Sequence, residues 1–186
     1  MDPINVKNLM VPLDEYATVS QEATLYEAVL ALEKAQEELD RTQYLYLHRA
    51  ILTYDENNKI VGKISQLDIL MALEPKYKEM GNLKDLSRAG FSPNFLESML
   101  DQYSLLSDSF VNICQKAANL KVKAFMYTPG ESEYVNENAS LTEAIHKLVM
   151  GHHQSLLVTR DKEIVGVLRL TDVFKEVFQT MKSCGL

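Results

Sequence analysis

Cysteine, proline and glycine are scarce in this sequence. Cys114 and Cys184 stand far apart in 186 residues, with no CxxC spacing. Two lone thiols point to a reducing compartment and speak against a structural disulfide or a zinc site. Five prolines and seven glycines leave little room for a loop-rich fold. No apolar run approaches the ~18 residues that a spanning helix needs. Met1-Asp2-Pro3-Ile4-Asn5 lacks the basic-then-apolar order of a signal peptide. A soluble cytoplasmic protein is expected. Positive charge is also short, with 19 Lys and Arg against 26 Asp and Glu, a net charge of −7. That field repels phosphate backbones and anionic lipid, so neither nucleic acid nor membrane is an expected partner. A small anionic ligand stays compatible where basic groups or helix N-termini receive it. Catalytic signatures are missing as well: there is no P-loop, GxSxG, HExxH or recognisable Cys/His pairing. No enzymatic activity, catalytic residue, metal site or required cofactor is expected.

What is present is an ordinary globular composition, 46% apolar and 24% charged, and an internal repeat. At an offset of 116 residues, Val6-Lys7-Asn8-Leu9-Met10 meets Val122-Lys123-Ala124-Phe125-Met126. At the same offset Ala23-Thr24-Leu25-Tyr26-Glu27-Ala28-Val29 meets Ala139-Ser140-Leu141-Thr142-Glu143-Ala144-Ile145. The offset falls to 105 at His48 and His153, and to 104 at Ile60-Val61-Gly62 and Ile164-Val165-Gly166. Elements are kept while loops change length. The first half carries 11 extra residues between Leu32 and His48.

Each half reads as β-α-β-β-α. A short extended entry holds Val19 or Val135. Thr24-x-x-Glu27 and Ser140-x-x-Glu143 are capping boxes that open a helix. Two strands follow, 50–54 with 60–65 and 155–159 with 164–169, joined by polar turns. A helix starting near Gln66 or Leu170 closes the half. The α+β fold divides into a first repeat at 1–74, an insert at 75–120 and a second repeat at 121–186. Ser92-Pro93 reads as a helix start, and helices are expected over 94–103 and 110–119, forming a hairpin packed on the repeats.

Both halves end in Gly-x-x-x-x-x-Asp: Gly62-Lys63-Ile64-Ser65-Gln66-Leu67-Asp68 and Gly166-Val167-Leu168-Arg169-Leu170-Thr171-Asp172. With Met10-Val11-Pro12 and Met126-Tyr127-Thr128-Pro129 before each entry, the chain resembles the CBS domain pair, or Bateman module. The resemblance covers nearly everything but the insert. It implies tandem repeats packed with pseudo-twofold symmetry around two clefts. It also implies regulatory binding of AMP, ADP, ATP, S-adenosylmethionine, or in some members NAD or other dinucleotides, and frequent homodimers. With no effector domain in view, any output passes through the dimer or an effector protein. The residue before each entry valine lines the cleft in the family, which points to Thr18 and Tyr134.

Read physically, the first motif suits a nucleotide. Gly62 allows a backbone or a ligand to approach closely. Ser65 can donate to phosphate, Asp68 can accept from vicinal ribose hydroxyls, and Val19 and Ile64 can flank adenine. Lys63 shares a strand face with Ser65, and is read either as a phosphate contact or as a solvated lysine. Ser65-Gln66-Leu67-Asp68 is equally a helix cap, so capping and ligand binding both stand. In the second motif, with Leu168, Thr171 and Asp172, Arg169 replaces the expected hydroxyl. It either grips an anion bidentately or fills the cleft and pairs with Asp172. Val135 and His153 complete the candidate set. Adjacent His152 and His153 point to opposite faces of an extended segment, so a shared metal is disfavoured, and His153 is read as structural or cleft-lining. Glu33 to Arg41 reads as a solvated helical extension. The two sites are expected to be unequal. The alternative to a sensor is a degenerate scaffold for protein assembly.

Overall fold

The computed structural model describes residues 4–74, 76–79, 92–103 and 112–184. In the first repeat β1 is Val11–Pro12, β2 Thr18–Ser20, α1 Leu25–Glu37, β3 Ala50–Tyr54, β4 Ile60–Ser65 and α2 Gln66–Leu73. A short helix α3, Lys76–Glu79, is followed by α4, Pro93–Tyr103, and α5, Ile113–Asn119. The second repeat has β5 Tyr134–Asn136, α6 Leu141–Gly151, β6 Ser155–Arg160, β7 Glu163–Arg169 and α7 Leu170–Ser183. Tandem β-α-β-β-α repeats are thus present in an α+β fold. Among the described residues, no helix is long and apolar enough to cross a membrane.

Local chemistry opens the helices. Thr24 accepts the Glu27 amide at 3.2 Å, and Glu27 Oε2 accepts the Thr24 amide at 2.7 Å. A cap of this kind is worth about 1 kcal/mol. Ser140 caps α6 through the Glu143 amide at 3.2 Å, but the reciprocal glutamate arm expected there is not formed. Ser92 caps α4 through the Phe95 amide at 3.2 Å.

Two sheets form, ordered β2-β3-β4 and β1-β7-β6-β5. Each is covered on both faces, which is why β3 and β6 read as unbroken apolar runs. Ile51 and Ile64 face α1 and α2, in a core with Val19 and Leu25. Leu156, Val158 and Leu168 face α6 and α7, in a core with Val6 and Val135. The alternate positions Leu52, Leu157 and Val167 meet between the sheets, with Val11, Tyr16, Leu39 and Tyr44.

The segments before the entries are exchanged between repeats, while β2 and β5 pair within their own. Val11 pairs with Val167 on the edge of β7, while Tyr127 and Lys63 exchange both backbone hydrogen bonds at 2.8 Å on β4. Three further pairs obey the 116-residue offset. The amides of Val6 and Val122 donate to Ala139 and Ala23, those of Lys7 and Lys123 to Glu137 and Gln21, and those of Leu141 and Leu25 to Ile4 and Leu120. These pairings make the arrangement crossed, and not two side-by-side units. Gly62 and Gly166 permit the crossing. A Cβ on Gly166 would stand 2.5 Å from the Val11 carbonyl, and one on Gly62 would stand 2.5 Å from Thr53 Oγ1 and 3.2 Å from the Tyr127 carbonyl.

In the insert, α5 lies on the first repeat, with Ala117 and Leu120 against its core. Lys116 Nζ donates to the Leu73 carbonyl at 2.6 Å, a cation on the carbonyl end of α2. Helix α4 leaves Phe95, Leu96 and Leu100 exposed. Positions 110 and 111 of the expected second helix, and the link between α4 and α5, lie outside the described residues. Cys114 and Cys184 are free and exposed.

Candidate functional site

The exchange sets the geometry of the clefts, because the segment before each entry pairs with the motif strand of the other repeat. At the first motif β4 runs straight into α2, so Ser65 is both the last strand residue and the N-cap. Ser65 Oγ accepts the Asp68 amide at 3.2 Å, while the Ser65 amide and hydroxyl donate to Asp68 Oδ2 at 2.7 and 2.6 Å. Capping is therefore real. It uses one carboxylate oxygen, and among the described residues no donor reaches Oδ1 of the half-buried Asp68. A vicinal diol can donate to that oxygen.

Opposite lies the segment before β5. Lys63 Nζ donates to Glu133 Oε2 at 2.7 Å, with side chains only 15% and 5% exposed. The Gly130 amide also donates to Glu133, at 3.2 Å. Burial alone would raise the Glu133 carboxyl, but hydrogen bonds from Lys63 and Tyr127 outweigh it and hold the group below its ordinary value. The Tyr127 phenol is raised by its bond to Glu133, then by burial. Lys63 is thus neither a solvated lysine nor a free phosphate contact. His153 is half-buried, its ring nitrogen 3.3 Å from Ser132 Oγ. Tyr134 is half-buried beside Glu133.

The second motif is filled. Arg169 Nε pairs with Asp172 Oδ2, and Nη2 donates to Oδ1 at 2.8 Å. Nη1 donates to the Tyr46 carbonyl at 2.9 Å and to His48 Nδ1 at 3.3 Å. The guanidinium lies 5.3 Å from the Tyr44 ring centroid. Since Arg169 has only donors, His48 Nδ1 must accept, and Nε2–H donates to the Glu15 carbonyl at 3.1 Å. Burial, aided by the Arg169 charge, lowers His48 to about 4, so the ring is neutral. Burial holds the Tyr16 phenol well above its ordinary value. It also pushes Tyr44 up to about 12, with the Glu15 carboxylate adding to the shift. Of the two readings of Arg169, pairing with Asp172 is the one found. The filler comes from the 11-residue expansion before His48.

The remaining candidates divide. Val19, Ile64, Val135 and Leu168 belong to the two helix-facing cores. Ile64 is turned away from the Lys63–Ser65 face, which corrects the expectation that it flanks adenine: strand alternation sends it to the helices. Thr171 is half-buried in the first turn of α7. Thr18 is exposed and pairs with Leu52, itself opposite Lys63. Two strand spacings, roughly 10 Å, separate it from the first motif. It lines two cavities instead. One, of about 490 Å³, also meets Asp14, Glu15, Lys34, Glu38 and Asp40. The other, of about 510 Å³, meets Tyr54, Ile60, Ile164 and Val165. Neither is lined by Ser65, Asp68, Arg169 or Asp172. Among the described residues, no group of three His, Cys, Asp or Glu side chains could hold a metal ion.

Sequence reasoning missed Glu133, Tyr127, Tyr16, Tyr44 and Tyr46. A signal existed for Glu133. Its counterpart at the repeat offset is Ala17, while Lys63 stands opposite Val167. Two apolar positions became a base and an acid in the same chain.

The family model described as CBS domain matches residues 6–75 and 122–179. No curated protein sequence matches at a significant level. Among solved structures, the CBS domain of a CBS domain-containing membrane protein from Sphaerobacter thermophilus superposes with a TM-score of 0.60 at 17% identity, covering 93% of this chain and 87% of that one. The CBS-pair protein CBSX2 from Arabidopsis thaliana gives 0.60 at 15% identity, covering 97% and 98%. CBSX2 in complex with AMP gives 0.57 at 15% identity, covering 95% and 98%.

Proposed function

The chain belongs to the CBS-domain family, and from that premise we propose that it is a regulatory module binding one adenosine-containing ligand per chain. The ligand class is AMP, ADP, ATP or S-adenosylmethionine. The cleft is the one formed by Ser65 and Asp68 with Tyr134 and His153 opposite. The observation that carries this reading is the inequality of the two aspartates. Asp68 keeps Oδ1 for a ribose diol, whereas Asp172 is spent on Arg169. The AMP found on a structural relative of the same fold supports the class. Binding shifts the population toward the state in which the repeats close on the ligand. The proposal assigns no catalytic step. Output passes to an effector protein or to a homodimer built on α2 and α7, where Leu67, Leu70, Phe174 and Phe178 are exposed.

The test is thermal melting and calorimetry of the whole chain against the four ligands. One of them at 100 times its dissociation constant adds about 2.7 kcal/mol, a shift of several degrees, with one site per chain and no response in Asp68→Ala. A second reading, assembly without ligand, is favoured by the filled second cleft. It prevails if folded, nucleotide-free protein ignores all four.

A further inference from the structure

The first cleft carries an unusual charge arrangement for a phosphate receptor. Its basic side chain, Lys63, is already held at 2.7 Å by Glu133. Glu133 is in turn fixed by Tyr127 and by the Gly130 amide. Asp68 adds a second carboxylate on the other wall, near enough to bear on the Tyr127 phenol. Arg49, whose carbonyl accepts the Gln66 amide at 3.2 Å, has an exposed side chain, so its charge is screened by water and salt. Among the described residues, two carboxylates and one already paired lysine therefore face a ligand seated on Asp68. A polyphosphate beside Ser65 would either lie against Glu133 or pull Lys63 out of a buried pair. Separating such a pair leaves an uncompensated buried charge. A neutral or cationic 5′ group meets neither obstacle.

We infer that the cleft selects adenosine ligands without a polyphosphate tail, accepting adenosine itself or the sulfonium of S-adenosylmethionine and rejecting ATP. The inference rests on the adenosine-binding reading above and adds the charge class of its ligand. Lys63 and Glu133 are the specificity-determining pair. By strand alternation the lysine shares the face of Ser65, and by its partner it is withheld from phosphate.

The test is calorimetry of the full chain with adenosine, S-adenosylmethionine, AMP and ATP at low salt. Adenosine and S-adenosylmethionine are expected to bind at least about tenfold tighter than ATP, ~1.4 kcal/mol, with AMP between. Glu133→Gln keeps the shape, releases Lys63 and narrows that gap about tenfold. A measurement on the unaltered chain covers the chance that this variant misfolds: raising the salt screens the repulsion, so the deficit of ATP shrinks. ATP binding as tightly as adenosine at low salt overturns the inference and leaves the adenosine reading intact. Binding of none of the four by folded protein overturns both.

Discussion

Asp172→Asn tests whether the second cleft is closed. Arg169 is 5% exposed and Asp172 8%. The guanidinium spends two donors on the carboxylate and one nitrogen on Tyr46 and His48. The amide keeps one acceptor but removes the countercharge, leaving a buried cation with neutral partners. Breaking a buried pair from one side costs roughly 3–5 kcal/mol. The retained acceptor puts Asn at the low end, about 3 kcal/mol. For a chain of this size that is a loss of ~6–12 °C in melting temperature. Urea unfolding followed by circular dichroism would show the midpoint fall by about 1 M or more. The double change Arg169→Met with Asp172→Leu removes both charges and should lose less than the single, because apolar replacement of a buried pair is often neutral. With the singles Arg169→Met and Asp172→Leu, the double and the unaltered chain form a double-mutant cycle. A loss under about 1 kcal/mol for Asp172→Asn would mean a solvated pair, and the filled cleft would be refuted.

Three further outcomes follow from the same geometry. His48 is lowered in the fold to about 4 from an ordinary ~6.5. The unfolded chain therefore takes up the proton first, and stability should decline as pH falls from about 6.5 toward 4; urea midpoints across that window should flatten in His48→Gln. Gly166→Ala drives a Cβ to 2.5 Å from the Val11 carbonyl, and overpacking of this kind costs about 1–3 kcal/mol; calorimetric melting should show it, and an unchanged melt would mean that the crossed strand is loosely held. Phe174→Glu and Phe178→Glu place charge on an exposed apolar stripe of α7; on the proposed homodimer, light scattering should report a dimer for the unaltered chain and a monomer for the variants, with the melting temperature kept.

The fold was legible because repetition supplied a second reading of every element. Hairpin boundaries at Ala50, Ile60 and Ser65 and helix starts at Gln66 and Leu170 follow from alternation and turn chemistry on both copies. Two things were not legible. Offset alone cannot say which repeat an entry packs against, since a crossed and an uncrossed pairing share one spacing. Nor do motif residues disclose their partners. Arg169 faces a loop 121 to 125 residues earlier in the chain, and Lys63 an acid 70 residues later. Such contacts depend on tertiary placement. The readable trace was the paired departure from the repeat, charge at Lys63 with charge at Glu133, and a longer loop with Arg169.

The exchanged segments also dictate an order of events during synthesis. Val6 and Val11 are both fully buried in the fold, and the Val6 amide and the Val11 strand find their backbone partners beyond residue 130, at Ala139 and on β7. At ~5–20 residues per second, translation leaves those pairings waiting roughly 7–31 s. The first repeat must stand meanwhile without the Tyr127 strand on β4, a free edge open to pairing with another chain. The long reach back from the last repeat to the first residues makes closure slow. A fragment ending before the second repeat would leave the Val11 strand and the Val6 amide unpaired beside that open edge, so aggregation on the ribosome is the hazard this topology must outrun.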